Sequence, residues 1–248
     1  MLEVFFAPTP NGWKLSILLE ELVDAGKISR EEFRVVPVNL SKGEQFTEDF
    51  LTVSPNGRIP ALRDGNQTVF ESGACLIYIA EKWGDFFPQE SRYEVLQWLF
   101  WQVGGLGPMA GQVSHFVNYA HLIDEKADHT YSLERYKREF RRLLSVMNVQ
   151  LGKTRYLACD QYSIADMACY GWVIPYRRFG VEDLSELPHL KRWFDELKER
   201  PAVRRGVETL KQNNSTMGQN AEKSVRSSDK AKEEFKKTAE VLFKKSKM

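Results

Sequence analysis

Residues 2–24, LEVFFAPTPNGWKLSILLEELVD, decide how the chain begins. The mostly apolar run 2–6 reads as a buried strand, and Leu15, Leu18, Leu19 and Leu22 recur at the spacing of one helical face over 12–24. Between them Thr9-Pro10-Asn11-Gly12 must turn the chain from strand to helix. The first amides of a helix have no partner within it and the helix dipole is positive there, so this turn suits an anion.

If the anion is a thiolate, the dipole and a nearby hydroxyl or amide donor lower its pKa and raise its reactive fraction at neutral pH. Thr9 and Asn11 are the available donors, although Asn11 taken alone reads as an ordinary helix cap. A thioredoxin-type enzyme carries its own cysteine pair on such a turn. Here Cys75 comes first, followed by Cys159 and Cys169, so the thiol has to arrive on a ligand. This odd set without CxxC spacing supports neither a disulfide framework nor a cysteine zinc site, and the four histidines fall at no metal-ligand spacing.

Outward from the turn, strands are expected over 33–38, 61–63 and 68–70 and a helix over 72–83, which together make a small α/β layer. Two more junctions belong to the same edge. In Ser54-Pro55-Asn56-Gly57-Arg58-Ile59-Pro60 a proline enters a strand, and a cis Ile59–Pro60 bond would turn the Ile59 backbone outward to pair with a peptide ligand; a plain turn is the alternative. In Glu71-Ser72 the serine is a natural helix cap and the glutamate an acceptor for an ammonium group, a pair suited to an α-amino acid end. Junctions of this kind converge where sheets of this class bind ligands.

Beyond Gly84 the strand signal disappears. Residues 94–210 read as amphipathic helices broken at 104–108, 119–131, 152–162 and 180–188. Leu190, Trp193, Phe194 and Leu197 form a core-facing stripe, and Ser163 with Asp166 forms a capping-box variant that starts a buried helix. The expected domains are therefore an α/β unit over 1–84, an all-helical unit over 92–210 and a basic tail over 211–248, read as a mobile linker followed by a weak helix.

The formal charge of +1 hides ten Lys and Arg against five Asp and Glu in that tail, which leaves the preceding residues at −4. A mildly acidic body argues against nucleic acid as a partner. No long apolar run suggests a membrane span, and the first residues lack a basic, apolar leader, so a cytoplasmic protein is expected. The closing Ser246-Lys247-Met248 is close to a peroxisomal address, a weaker alternative.

TPNG, SPNGRIPAL, ESGACLIYIAEK, WLFWQVGGLGPMAGQ and YSIADMA, in that order over residues 1–205, resemble the glutathione transferases. The chain looks most like the nu-class bacterial enzymes and the transferase-like domain of the fungal nitrogen-regulator prion. The resemblance implies a thioredoxin-like domain followed by a helical domain, a homodimer, and glutathione, reduced or as its disulfide, as co-substrate without a metal. It implies that Asn11, with Thr9, meets the glutathione thiol, and that Gln45, Arg58, Ile59, Glu71 and Ser72 hold the tripeptide, with Arg135 reaching across from a partner subunit. Trp101 and Met109 would border the second-substrate pocket, although aromatics at that spacing are as often plain core. The activity implied is reduction of disulfides through bound glutathione thiolate. Conjugation of glutathione to electrophiles in detoxification, or a regulatory glutathione-binding role, are the alternatives.

Overall fold

The computed structural model describes residues 1–123 and 126–209; the expected linker, weak helix and terminal tripeptide of the tail lie outside the described residues. Strand β1 (Leu2–Phe6) runs into helix α1 (Pro10–Asp24), followed by β2 (Phe33–Pro37), a short helix α2 (Glu48–Val53), β3 (Ala61–Asp64), β4 (Gln67–Phe70) and α3 (Ser72–Trp83). The sheet order is β2-β1-β3-β4, with β1 parallel to β2 and antiparallel to β3. This is the thioredoxin-like arrangement, and because β1 and β4 run the same way on either side of β3, it sets the strand-to-helix turns after them on one edge of the sheet.

The remainder is helical: α4 (Arg92–Trp101), α5 (Gly107–Asn118), α6 (Ala120–Ile123), α7 (Thr130–Leu151), α8 (Ile164–Val173), α9 (Pro188–Glu199) and α10 (Pro201–Glu208). The expected break at 104–108 is absent. Instead α4 passes through one π-helical turn, Gln102–Leu106, straight into α5, and Pro108 sits in the first turn of α5, where its missing N–H costs nothing. Among the described residues, no helix is long and apolar enough to cross a membrane.

Helix α1 departs most from its sequence pattern. Leu15, Leu18, Leu19 and Leu22 are buried as expected, but so are Ser16, Ile17, Glu20 and Glu21 on the rest of the helix. The helical half covers that second face. Ser16 Oγ donates to Gly206 O at 2.7 Å, Arg200 forms a two-pronged pair with Glu21 at 2.6 Å, and Arg205 Nε reaches Glu20 at 2.6 Å. Such charges are tolerated in a near-buried position because they are paired and hydrogen-bonded. A helix enclosed on both sides has little freedom to shift, which fixes the turn at its amino end.

Candidate active site

A cavity of about 710 Å³ opens at the amino end of α1. Asn11, Lys14, Arg58, Glu71, Ser72 and Gln102 form one side of it. The opposite side, from α5 and the residue after it, brings Gln112, Ser114, His115 and Tyr119.

The turn itself divides its labour. Thr9 is the cap: its Oγ1 accepts from Gly12 N–H at 3.2 Å, and Pro10 occupies the first helical position. That leaves Asn11 free of capping duty. Its Oδ1 accepts from the indole Nε1–H of Trp172 at 2.9 Å. An indole nitrogen only donates, so the Asn11 oxygen must face Trp172 and the amide NH₂ must face away from it. The side chain is thereby presented as a donor beside the helix amino end, the polarity a thiolate needs. Thr9 is placed differently from expectation: it is half-buried and does not line the cavity, because its oxygen is spent on the helix.

Trp172 carried no signal in the sequence. It belongs to α8, which presses on α1 so closely that a Cβ on Gly171 would lie 2.7 Å from Pro10 O. Glycine at 171 permits the approach that lets the next residue reach Asn11.

Of the other two junctions the proline loop arrives as expected, whereas Ser72 is not the cap: Glu71 holds that position without a side-chain cap bond, and the Ser72 hydroxyl is turned to Lys14 instead. The Ile59–Pro60 bond is cis. Ser54 Oγ donates to Arg58 O at 2.8 Å and fixes the preceding loop, and among the described residues the Ile59 N–H and C=O have no hydrogen-bond partner. Glu71 stands at φ 71°, ψ 121°, unusual for a residue with a Cβ. Such conformations cost of order 1–3 kcal/mol and persist where the surroundings impose them, here at the cavity rim. Ser72 opens α3 and is buried, and its Oγ accepts from Lys14 Nζ at 3.0 Å.

Lys14 and Gln102 are functional candidates that the sequence alone does not single out. Lys14 is 1% exposed. Burial pushes its pKa down to about 7, partly countered by the negative charge of Glu71. Both endogenous thiols near it, Cys75 and Cys169, are buried and pushed up by desolvation, so neither is a nucleophile at neutral pH.

Several expected residues lie elsewhere. Gln45 is 1% exposed and does not line the cavity; its Nε2 approaches Leu40 O at 3.5 Å, so the side chain is turned into its own loop. Arg135 is exposed on α7, outside the cavity of its own chain. Trp101 packs edge-on against Trp98, and both Trp101 and Met109 are partly buried against the core and lie outside the lining of this cavity. Gln102 and Val103, which open the π turn, line the cavity. Among the described residues no cluster of three or more His, Cys, Asp or Glu side chains could hold a metal ion.

Comparison with known proteins agrees with this geometry. Residues 2–81 match the glutathione S-transferase N-terminal domain and residues 113–201 the C-terminal domain. The chain is 44% identical over 214 residues to the disulfide-bond oxidoreductase YfcG of Escherichia coli, covering 82% of this chain and 93% of that protein. It is 40% identical over 217 residues to YghU of the same organism, another disulfide-bond oxidoreductase, covering 83% and 73%. Among solved structures, a glutathione transferase family member from Pseudomonas fluorescens with two glutathione bound superposes with TM-score 0.74 at 38% identity, covering 84% of this chain and 92% of that one. A Pseudomonas putida glutathione transferase with one glutathione disulfide bound per subunit gives TM-score 0.74 at 36% identity, covering 84% and 90%. With its thioredoxin-like sheet, its helical half and both domain signatures in order, the chain belongs to the glutathione S-transferase family.

Proposed function

We propose that this protein is a glutathione-dependent thiol–disulfide oxidoreductase. The observation that carries the reading is the Trp172–Asn11 hydrogen bond, which fixes an amide donor beside the amino end of α1 in a chain whose own buried thiols are unreactive. Glutathione is read as lying across Ser72 and Glu71 at its γ-glutamyl end, along the unpaired Ile59 backbone at its cysteine, with Arg58 toward its glycine. Its thiolate attacks the glutathionyl sulfur of a mixed disulfide, the S–S bond breaks, glutathione disulfide forms, and the departing thiolate takes a proton from solvent. Asn11 stabilises the thiolate before the step and, in the reverse direction, the same sulfur as leaving group.

Conjugation to apolar electrophiles asks for an apolar second pocket. The cavity also carries Val103, Pro108 and Trp172, but Gln112, Ser114, His115 and Tyr119 give its far wall polar groups suited to a peptide-bearing second substrate. The relatives that carry two glutathiones or a glutathione disulfide support the same choice. We further read the molecule as a cytoplasmic homodimer of a 1–84 and a 92–210 domain, with Arg135 offered to the partner's site. Turnover of hydroxyethyl disulfide with glutathione tests the reading: it is expected to exceed chlorodinitrobenzene conjugation, and to fall sharply in Asn11→Ala. Strong conjugation with no disulfide reduction would reject it.

A further inference from the structure

The floor of the cavity holds a buried ammonium bonded only to neutral groups. Lys14 Nζ donates to Ser72 Oγ at 3.0 Å and to Gln102 Oε1 at 2.5 Å, which leaves one of its three hydrogens uncommitted. Gln102 is 0% exposed, and with its oxygen turned to Lys14 its amide nitrogen is buried with no partner. Both side chains line the cavity, and a Cβ on Gly107 would lie 2.6 Å from that nitrogen, so glycine keeps the space for it. The titratable groups whose charge Lys14 feels are Cys169 on α8, Glu71 ahead of α3 and Cys75 on α3. The two thiols are held protonated by burial, so only Glu71 at the rim opposes its charge; Arg58 and His115 line the same cavity.

We infer that Lys14 is the counter-charge for the free α-carboxylate of a γ-glutamyl ligand seated over Ser72, that the idle Gln102 amide donates to the same group, and that binding draws a proton onto Lys14. The inference rests on the glutathione reading and adds to it the residue that selects the carboxylate. Without ligand, burial leaves the ammonium half-deprotonated at about pH 7. A carboxylate beside it favours the charged form. Well below that pH the two events are uncoupled; well above it, each binding event takes up close to one proton and affinity falls as pH rises.

Calorimetry on the full chain tests this with S-methylglutathione, which has no thiol proton, and with its analogue lacking the α-carboxylate, each at pH 8 in buffers of different ionisation enthalpy. The carboxylate-bearing ligand is expected to bind with uptake of about one proton per site, the analogue with none. The analogue is expected to bind about 10-fold more weakly at pH 7. Lys14→Met should remove the proton uptake and the preference for the carboxylate over the analogue. Equal proton counts for the two ligands on the natural protein overturn the inference, as does uptake that survives in Lys14→Met; should that variant not fold, the two-ligand comparison decides alone. Failure of S-methylglutathione to bind at all overturns the glutathione reading itself, and this inference with it.

Discussion

At the amino end of α8, Ser163 Oγ accepts from Ala165 N–H at 3.3 Å and Asp166 Oδ2 accepts back from Ser163 N–H at 3.1 Å, a box closed within residues 163–166. At its carboxyl end, Gly171 and Trp172 acquire a role only because α1 lies against them. Both ends use an indole donor on a side-chain oxygen: Trp193 on Asp166 Oδ1 at 2.8 Å, and Trp172 on Asn11 Oδ1 at 2.9 Å. The first contact is buried and its acceptor is saturated, since Asp166 also receives Leu157 N–H at 2.9 Å. In the second, the acceptor's other half is left facing a cavity. The same bond type therefore supports stability at one end and presents a reactive-site donor at the other.

Breaking the first end has the largest expected effect. Asp166→Ala strands the Leu157, Ser163 and Trp193 donors in a buried place, a loss on the order of 4 kcal/mol measurable by urea unfolding. Its pH signature sharpens the point. Burial raises the Asp166 pKa to about 6, so the folded state holds this proton more tightly than the unfolded one. The stabilising contribution is full below about pH 4 and lost as pH rises through about 6, and Asp166→Asn is expected to flatten that slope in stability.

Gly171→Ala comes next, because the added carbon must push α8 from Pro10; a destabilisation of about 2 kcal/mol with a marked drop in disulfide reduction is expected. Trp172→Phe should leave stability nearly unchanged but lower kcat/KM about 10-fold, about 1.4 kcal/mol, because the Asn11 amide is then free to flip. The near-ultraviolet absorbance of bound glutathione thiolate should titrate at higher pH in that variant; an unshifted titration would reduce Trp172 to packing. Ser163→Ala has the smallest effect, about 1 kcal/mol of stability with activity intact.

The sequence carried α8's first end in full, since a capping box is spaced along the chain. It also carried the strand-to-helix turn at 9–12, the cis proline loop and the start of a helix after Glu71, though not that Ser72 would sit inside that helix rather than cap it. It did not carry which of Thr9 and Asn11 would cap, because either residue type can; the structure gave the cap to Thr9 and freed Asn11. Nor did it reveal that the glycines and proline of 104–108 would continue a helix through a π turn, since the same residues more often end one. Nor did it show that Gln102, directly after Trp101, would line the cavity.

By itself, then, the amino-acid order determined the small α/β layer, the helical unit and the strand-to-helix turn at 9–12, because periodicity, caps and turn residues act over a few positions. Tertiary structure alone decided that Lys14 would be buried, that Asn11 would point its nitrogen outward, and that Trp172 and Gln102 would join the site. Those outcomes depend on partners 58 to 161 residues away, where no local preference reaches and only the packing of α8 and the α4–α5 turn against α1 brings donor to acceptor.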